Sequence, residues 1–239
     1  MAGEIFVVEG RTAFVILPKT AADDGPVPWV WYAPTLPNLP NAAEKWMFER
    51  FLAKGIAVAG VDVGESFGNP QGRAVYSALH RKLVKERGFA EKACLLARSR
   101  GGLMLYNWAA ENPDSVAGIA GIYPVCNILS WPRSLPHRAF GLRADEFSRQ
   151  VARHNPVDRL ESLARAQVPI FHIHGDVDQT VPLEANSGEL RKRYEKLGGQ
   201  MTLQIPAGQG HNMWPGFFQC QKLVDFVIQN ASGASLESR

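Results

Sequence analysis

The chain is 239 residues long, with 46% hydrophobic and 21% charged residues and a net charge of +3. That composition is ordinary for a globular protein and excludes disorder, collagen-like repeats and long coiled coil. A charge this small and dispersed gives no sign of nucleic acid, and no such partner is expected.

Three cysteines, an odd number, leave no dense disulfide framework. Free thiols fit a reducing compartment, and residues 1–10 (MAGEIFVVEG) lack a basic start followed by a long apolar stretch. A cytoplasmic location is therefore expected, with secretion after removal of a leader as the alternative. The longest uncharged run, Ser115 to Pro132, contains Pro124 and Asn127 and reads as a buried strand plus loop, so no membrane span is expected. The length allows one large domain, and residues 1–239 are read as a single one.

In chain order, the runs Glu4–Glu9 and Thr12–Leu17 flank Glu9-Gly10-Arg11 and predict a hairpin. Residues 18–28 are turn-forming, and Trp29–Ala33 is a continuous apolar strand. Helical spacing over 42–54 puts Ala43, Trp46, Met47, Phe51 and Leu52 on one face. Ile56–Val61 is a strand, and 71–88 a helix capped by Gly88. Lys92–Ala97 is a strand, Gly101–Asn112 a helix stopped at Asn112-Pro113, and Val116–Tyr123 a strand. A helix over 157–166, a strand over Val168–His174, a helix over 183–198, a strand over Met201–Ile205 and a helix over 215–230 follow. The tail SGASLESR is expected to fray.

Strands apolar on both faces that alternate with helices predict an α/β fold, a mostly parallel central sheet with helices on both faces. Residues 124–156 break the rhythm, with four prolines and no clear strand. A connection this long predicts a lid insertion over a site, against the plainer alternative of an excursion that only packs.

The strand at 92–97 runs into Ala97-Arg98-Ser99-Arg100-Gly101-Gly102 with a helix directly behind. A serine on a tight strand-to-helix turn needs small residues two before and two after it, here Ala97 and Gly101. That turn lifts the hydroxyl above the sheet and sets the next N–H at a helix N-terminus, where negative charge is stabilised. Taken alone, Ser99 is equally a helix cap. A nucleophile also needs a base and an orienting carboxylate, and in such sheets both belong at the carboxyl ends of later strands. Asp178 follows the strand ending at His174, and His211 follows the strand ending at Ile205. Asp176 reads as a turn cap. Of the six histidines, His80 falls on a helix, His137 and His154 in the proline-rich stretch, and His172 and His174 in a strand as satisfied core groups. His172 and His174 lack a third ligand at suitable spacing, so no metal is expected.

The segments LLARSRGG, HIHGDVDQTVP and GQGHNMW, in the order Ser99, Asp178, His211, resemble the α/β-hydrolase superfamily, specifically its dienelactone-hydrolase and prolyl-oligopeptidase-like serine hydrolases. The resemblance covers the chain after residue 28, and G-x-x-D-x-x-V-P is its most specific motif. Dienelactone hydrolases use cysteine where this chain has Ser99, which argues against that particular reaction. The resemblance implies an α/β-hydrolase fold, a Ser99, Asp178 and His211 triad, and no cofactor.

The oxyanion hole is expected to use the backbone N–H of Arg100 and one from the loop after residue 33, at Thr35 or Leu36, with Thr35 favoured on position. Arg98 and Arg100 flank the serine. They would either recognise an anionic or sugar-rich acyl substrate or form salt bridges, with Asp62 or Glu65 as partners. Trp214, Trp131, Trp46 and Leu36 are candidate pocket walls. Residues 62–68 are glycine-rich but lack the Gly-Lys-Ser/Thr of a phosphate loop, so nucleotide binding is not expected.

The function expected is a serine carboxylesterase acting on a small-molecule ester through an acyl-enzyme. A carbohydrate-ester deacetylase, and a peptidase or acyltransferase on the same triad, are the alternatives. A chain of 239 residues has no room for the propeller that prolyl oligopeptidases add, which ranks the peptidase lower. A non-catalytic binding protein on a hydrolase fold is the alternative of another class.

Overall fold

β1 (Glu4–Val8) pairs antiparallel with β2 (Arg11–Ile16). Glu9 and Gly10 between them take positive φ, 48° and 73°, the backbone of a two-residue turn whose twist matches its strands. The computed structural model describes residues 3–19 and 25–233. Residues 1–2, 20–24 of the turn-forming stretch and 234–239 of the tail lie outside the described residues.

Six further strands complete the sheet: β3 (Trp29–Ala33), β4 (Ala57–Val61), β5 (Ala93–Arg98), β6 (Val116–Ile122), β7 (Ile170–Ile173) and β8 (Met201–Gln204). Their order is β1-β2-β4-β3-β5-β6-β7-β8, antiparallel up to the β2–β4 pair and parallel beyond it. The pleat sends alternate residues to opposite layers. Trp29, Trp31 and Ala33 join one core, while Val30 and Tyr32 join the other. The first core is covered by α2 (Pro70–Arg87), α3 (Gly101–Ala109), α5 (Glu161–Arg165) and α6 (Glu189–Lys196), and the second by α1 (Lys45–Ala53) and α8 (Gln221–Ala231). The three cysteines, Cys94, Cys126 and Cys220, are free and buried.

Helix ends follow local chemistry. The Asn69 side chain accepts the Gly72 N–H at 2.7 Å to cap α2, Pro70 occupies its first turn, and Gly88 closes it at φ 70°. The helix expected over 42–54 begins only at Lys45, because Glu44 accepts the Asn41 N–H and folds 41–44 into a turn. The one expected over 157–166 is a 3₁₀ turn, Pro156–Asp158, followed by the short α5. That over 183–198 opens as a π turn, Glu184–Gly188. That over 215–230 breaks at Gln219 and Cys220 into α7 (Pro215–Phe218) and α8. The break lets Phe217 and Phe218 turn in against Tyr123, while α8 lies along the sheet.

Residues 124–156 carry α4 (Ala144–Gln150) and 3₁₀ turns, and bury Phe140 and Phe147 with Leu103, Val125, Ile128 and Val181. The base of the segment is clamped. Asn186 Oδ1 accepts from the Cys126 and Asn127 N–H groups at 2.9 and 3.0 Å, and Asn155 Oδ1 accepts from Ile128 N at 2.9 Å.

Candidate active site

β5 ends at Arg98, and Ser99 turns the chain at φ 48° before α3 begins at Gly101. A left-handed φ at a non-glycine residue is uncommon and persists only where its surroundings enforce it. Here three backbone bonds do so: Ser99 N donates to Ile122 O at 3.0 Å, and Ser99 O accepts from Val125 N at 2.8 Å and Gly102 N at 3.0 Å. The small residue two positions on is a steric necessity, since a Cβ at Gly101 would overlap the Ala33 carbonyl. Ala97 keeps its methyl group, in register between Ala33 and Gly121.

The acid and histidine loops leave β7 and β8 side by side and are zipped together. Val177 N donates to Gln209 O at 3.1 Å, and Gly175 has no space for a Cβ beside that same carbonyl. Asp176 accepts the Gly208 N–H at 2.7 Å, so the aspartate expected to cap its own turn instead ties one loop to the other. This pairing brings His211 to Ser99 and Asp178. Ser99 Oγ lies 2.9 Å from His211 Nε2, and His211 Nδ1 lies 2.8 Å from Asp178 Oδ2. Asp178 Oδ1 accepts from Thr180 N at 2.9 Å and Val181 N at 2.8 Å, so one oxygen shapes the turn while the other faces the histidine. Burial opposes the charge on this carboxyl, but the donors from His174, His211 and Val181 outweigh it and hold it well below the usual carboxylate range.

The cleft over Ser99 and His211 encloses about 170 Å³ and is walled by Pro34, Leu39, Arg98, Arg100, Tyr123 and Met213. The Tyr123 ring packs on His211 with centroids 4.3 Å apart. Burial pushes its hydroxyl up to about 12, with Arg98 opposing. Beneath the cleft Arg98 pairs with fully buried Glu44 at 2.6 Å, and the same Oε1 accepts the Tyr32 hydroxyl at 2.8 Å. Arg100 pairs with Glu65 at the rim and lies over the Trp131 ring.

Several expected residues fall elsewhere. Leu36 N–H is taken by Leu39 O at 3.1 Å, and Leu39 rather than Leu36 meets the cleft. Thr35 forms a parallel bridge to Asp62. Trp214 is 38% exposed and packs on Phe217, and Trp131 packs on Phe67; neither walls the cleft. Trp46 lies under Arg50. His80 stacks among Trp29, Trp31 and Trp108, and His154 packs on Phe140 and Phe147. Glu44, Tyr123, Leu39 and Met213 gave no signal in the sequence, since their part comes only from tertiary packing. Among the described residues, no group of three or more His, Cys, Asp or Glu side chains is arranged to hold a metal ion, and no helix is long and apolar enough to cross a membrane.

A family model described as the prolyl oligopeptidase family matches residues 76–229, more than half of the chain. No match was found among curated protein sequences. Among solved structures, dipeptidyl peptidase 4 of Porphyromonas gingivalis superposes with a TM-score of 0.77 at 14% identity, over 96% of this chain and 35% of that one. A Mycobacterium tuberculosis puromycin-hydrolyzing peptidase gives 0.76 at 15% identity, over 96% and 40%. Est1E from Butyrivibrio proteoclasticus gives 0.70 at 17% identity, over 97% and 100%. The chain therefore spans less than half the length of the two peptidases, and at these identities the likeness is one of α/β-hydrolase fold.

Proposed function

The chain belongs to the prolyl oligopeptidase family of α/β-hydrolases, and from that premise we propose that it is a serine hydrolase cleaving carboxylic esters of small molecules through an acyl-enzyme. The observation that carries this reading is the unbroken hydrogen-bonded chain Ser99–His211–Asp178 opening into a confined cleft.

In the proposed reaction His211 Nε2 takes the Ser99 proton as Oγ attacks the ester carbonyl, and Asp178 steadies the imidazolium. The oxyanion accepts from the Arg100 N–H at the start of α3. His211 then returns the proton to the leaving alcohol, and water attacks the acyl-enzyme by the same steps in reverse. A cleft of about 170 Å³ lies below the 300–1,000 Å³ usual for drug-sized ligands, which supports a short acyl group. The ion pairs of Arg98 and Arg100 leave neither guanidinium as a ready partner for an anionic substrate. Peptide substrates form the second reading, supported by the family match. A carbohydrate ester remains a choice of alcohol within the first, and residues 124–156 are proposed as the cover that selects it.

The test is turnover of p-nitrophenyl acetate, butyrate and octanoate, and of aminoacyl p-nitroanilides, by wild type and Ser99→Ala. Expected is ester turnover that falls with chain length and drops roughly a thousandfold or more in the variant. Faster cleavage of the anilides would favour the peptidase. Full activity of Ser99→Ala would refute the nucleophile.

A further inference from the structure

A second chain of hydrogen bonds runs from Asp178 away from the cleft. His172, on β7, and His174, the residue just past its end, are two apart and so lie on the same side, and both are fully buried. Their Nδ1 atoms meet one hydroxyl: Ser187 Oγ, on the π turn, lies 2.9 Å from His172 Nδ1 and 2.8 Å from His174 Nδ1. His172 Nε2 lies 2.7 Å from the hydroxyl of Tyr106, on the helix that Ser99 opens. His174 Nε2 lies 2.8 Å from Val181 O and 3.4 Å from Asp178 Oδ2. Room for the His172 ring comes from Gly121 on β6, where a Cβ would stand 2.5 Å from its Cδ2.

The proton positions follow from counting donors. A carbonyl only accepts, so His174 Nε2 carries a hydrogen toward Val181 O. In neutral His174 the other nitrogen accepts, so Ser187 donates its hydroxyl hydrogen there. Ser187 oxygen then accepts from His172 Nδ1–H, and His172 Nε2 accepts the Tyr106 O–H. Every polar atom of the set is satisfied, with donation running one way from Tyr106 to the acid loop. The reversed order leaves the Tyr106 hydrogen without an acceptor and needs a buried charge, which is costly. Burial, with His174 beside it, lowers His172 to about 3, which keeps it neutral. Other titratable groups face the set at its two ends. Cys126 and Tyr194 stand beside Tyr106, and His211 and Tyr123 beside Asp178. Burial raises Tyr106 and Cys126 well above their usual values, and Tyr194 to about 12.

We propose that Tyr106, His172 and Ser187 form a one-way donor relay that fixes His174 with its proton on Nε2, making His174 a positioning residue for Asp178. This rests on the reading of Asp178 as the acid of a serine hydrolase. The relay closes a ring. Ser99 and Tyr106 are joined through α3, and Tyr106 is joined through the relay, Asp178 and His211 back to Ser99. With the Thr180 and Val181 N–H groups on Oδ1, and His211 and His174 toward Oδ2, the carboxylate has one orientation. Tyr106→Phe removes a single oxygen. His172 Nε2 then lacks its donor, so His172 is no longer held to one tautomer and the Ser187 hydroxyl is free to turn toward either ring. The His174 proton is left on Nε2 by Val181 O alone, and its Nδ1 loses its fixed donor.

Long-range proton–nitrogen NMR of the imidazoles in the full chain, between pH 5 and 8, reads these tautomers directly. Expected in wild type are His172 neutral and protonated on Nδ1, and His174 with its proton on Nε2. In Tyr106→Phe the His174 nitrogens shift, although three hydrogen bonds away, and kcat on p-nitrophenyl acetate falls about tenfold at unchanged KM. Ser187→Ala gives the same His174 response by cutting the relay at its centre. A charged His174 or its opposite tautomer in wild type, or His174 signals unmoved in both variants, would overturn the proposal. The NMR signals do not depend on turnover. The expected tautomers in a protein without esterase activity would sink the hydrolase reading alone, and the opposite tautomers in an active enzyme would sink the relay alone.

Discussion

Replacing Arg98 by methionine tests what supports the floor of the cleft. Glu44 is fully buried and accepts from Arg98, from the Tyr32 hydroxyl and from Asn41 N–H. Methionine keeps much of the arginine stem but leaves that carboxylate without a counter-charge. Removing one partner of a buried pair costs about 3–5 kcal/mol. Two donors remain on Glu44, and the Arg98 side chain is 11% exposed, which argues for the lower end, about 3 kcal/mol. In a chain of this size each kcal/mol moves the melting temperature by roughly 2–4 °C, so Arg98→Met is expected to melt about 6–12 °C below wild type. The double variant Arg98→Met, Glu44→Gln removes both charges yet keeps an oxygen for Tyr32, and should recover about half of the loss or more. Thermal melts of wild type, both single variants and the double variant, with p-nitrophenyl acetate kinetics beside them, read the coupling. An Arg98→Met melt within about 2 °C of wild type, or a double variant as unstable as the sum of the singles, would refute the reasoning. A raised KM for an anionic ester at unchanged melting would return Arg98 to substrate recognition.

Gly101→Ala forces a Cβ onto the Ala33 carbonyl. It is expected to cost about 1–3 kcal/mol in urea unfolding and to distort the Ser99 turn; unchanged stability would show that α3 has room to shift. Asn186→Ala orphans the Cys126 and Asn127 N–H groups, at about 1–3 kcal/mol for each group left unpaired. Faster amide exchange at 126–128 and faster proteolysis within 131–138 should follow, and unaltered exchange would mean that Asn186 is not the clamp. His172 is held at about 3 when folded, against about 6.5 when unfolded, so between those values the unfolded chain binds more protons. Stability contributed by neutral His172 is complete above that window and falls on acidification by up to about 1.4 kcal/mol per pH unit. Asp178, depressed when folded, adds a further loss below its unfolded value of about 3.9. Urea midpoints from pH 7 to about pH 3 check this, and a flat profile would contradict it.

The candidate site could be read from the sequence where a residue's place is fixed by its neighbours along the chain. Ser99 was marked by Ala97 and Gly101 because the turn's steric demand is local, and Asp178 and His211 by their places just beyond successive strands. The apolar runs announced β3 and β4 because strands buried on both faces cannot hide their composition. What could not be read came from distant pairing. Arg98 finds Glu44 across 54 residues, and nothing in the turn before α1 marks Glu44 as its partner. His172 and His174 read as core groups, which their burial bears out, yet their shared contact with Ser187 depends on a π turn in a stretch that reads as plain helix. The helix over 215–230 breaks because Tyr123, nearly a hundred residues earlier, draws Phe217 and Phe218 inward.

The burial of Cys94, Cys126 and Cys220 has a practical consequence for chemical labelling. Burial raises all three thiols, so little thiolate is available for alkylation. A cysteine introduced at Met213 or Val177, both more than half exposed on the acid and histidine loops, would be the one readily alkylated thiol in the folded chain. A fluorophore attached there would report occupancy of the cleft in real time without any native cysteine having to be removed.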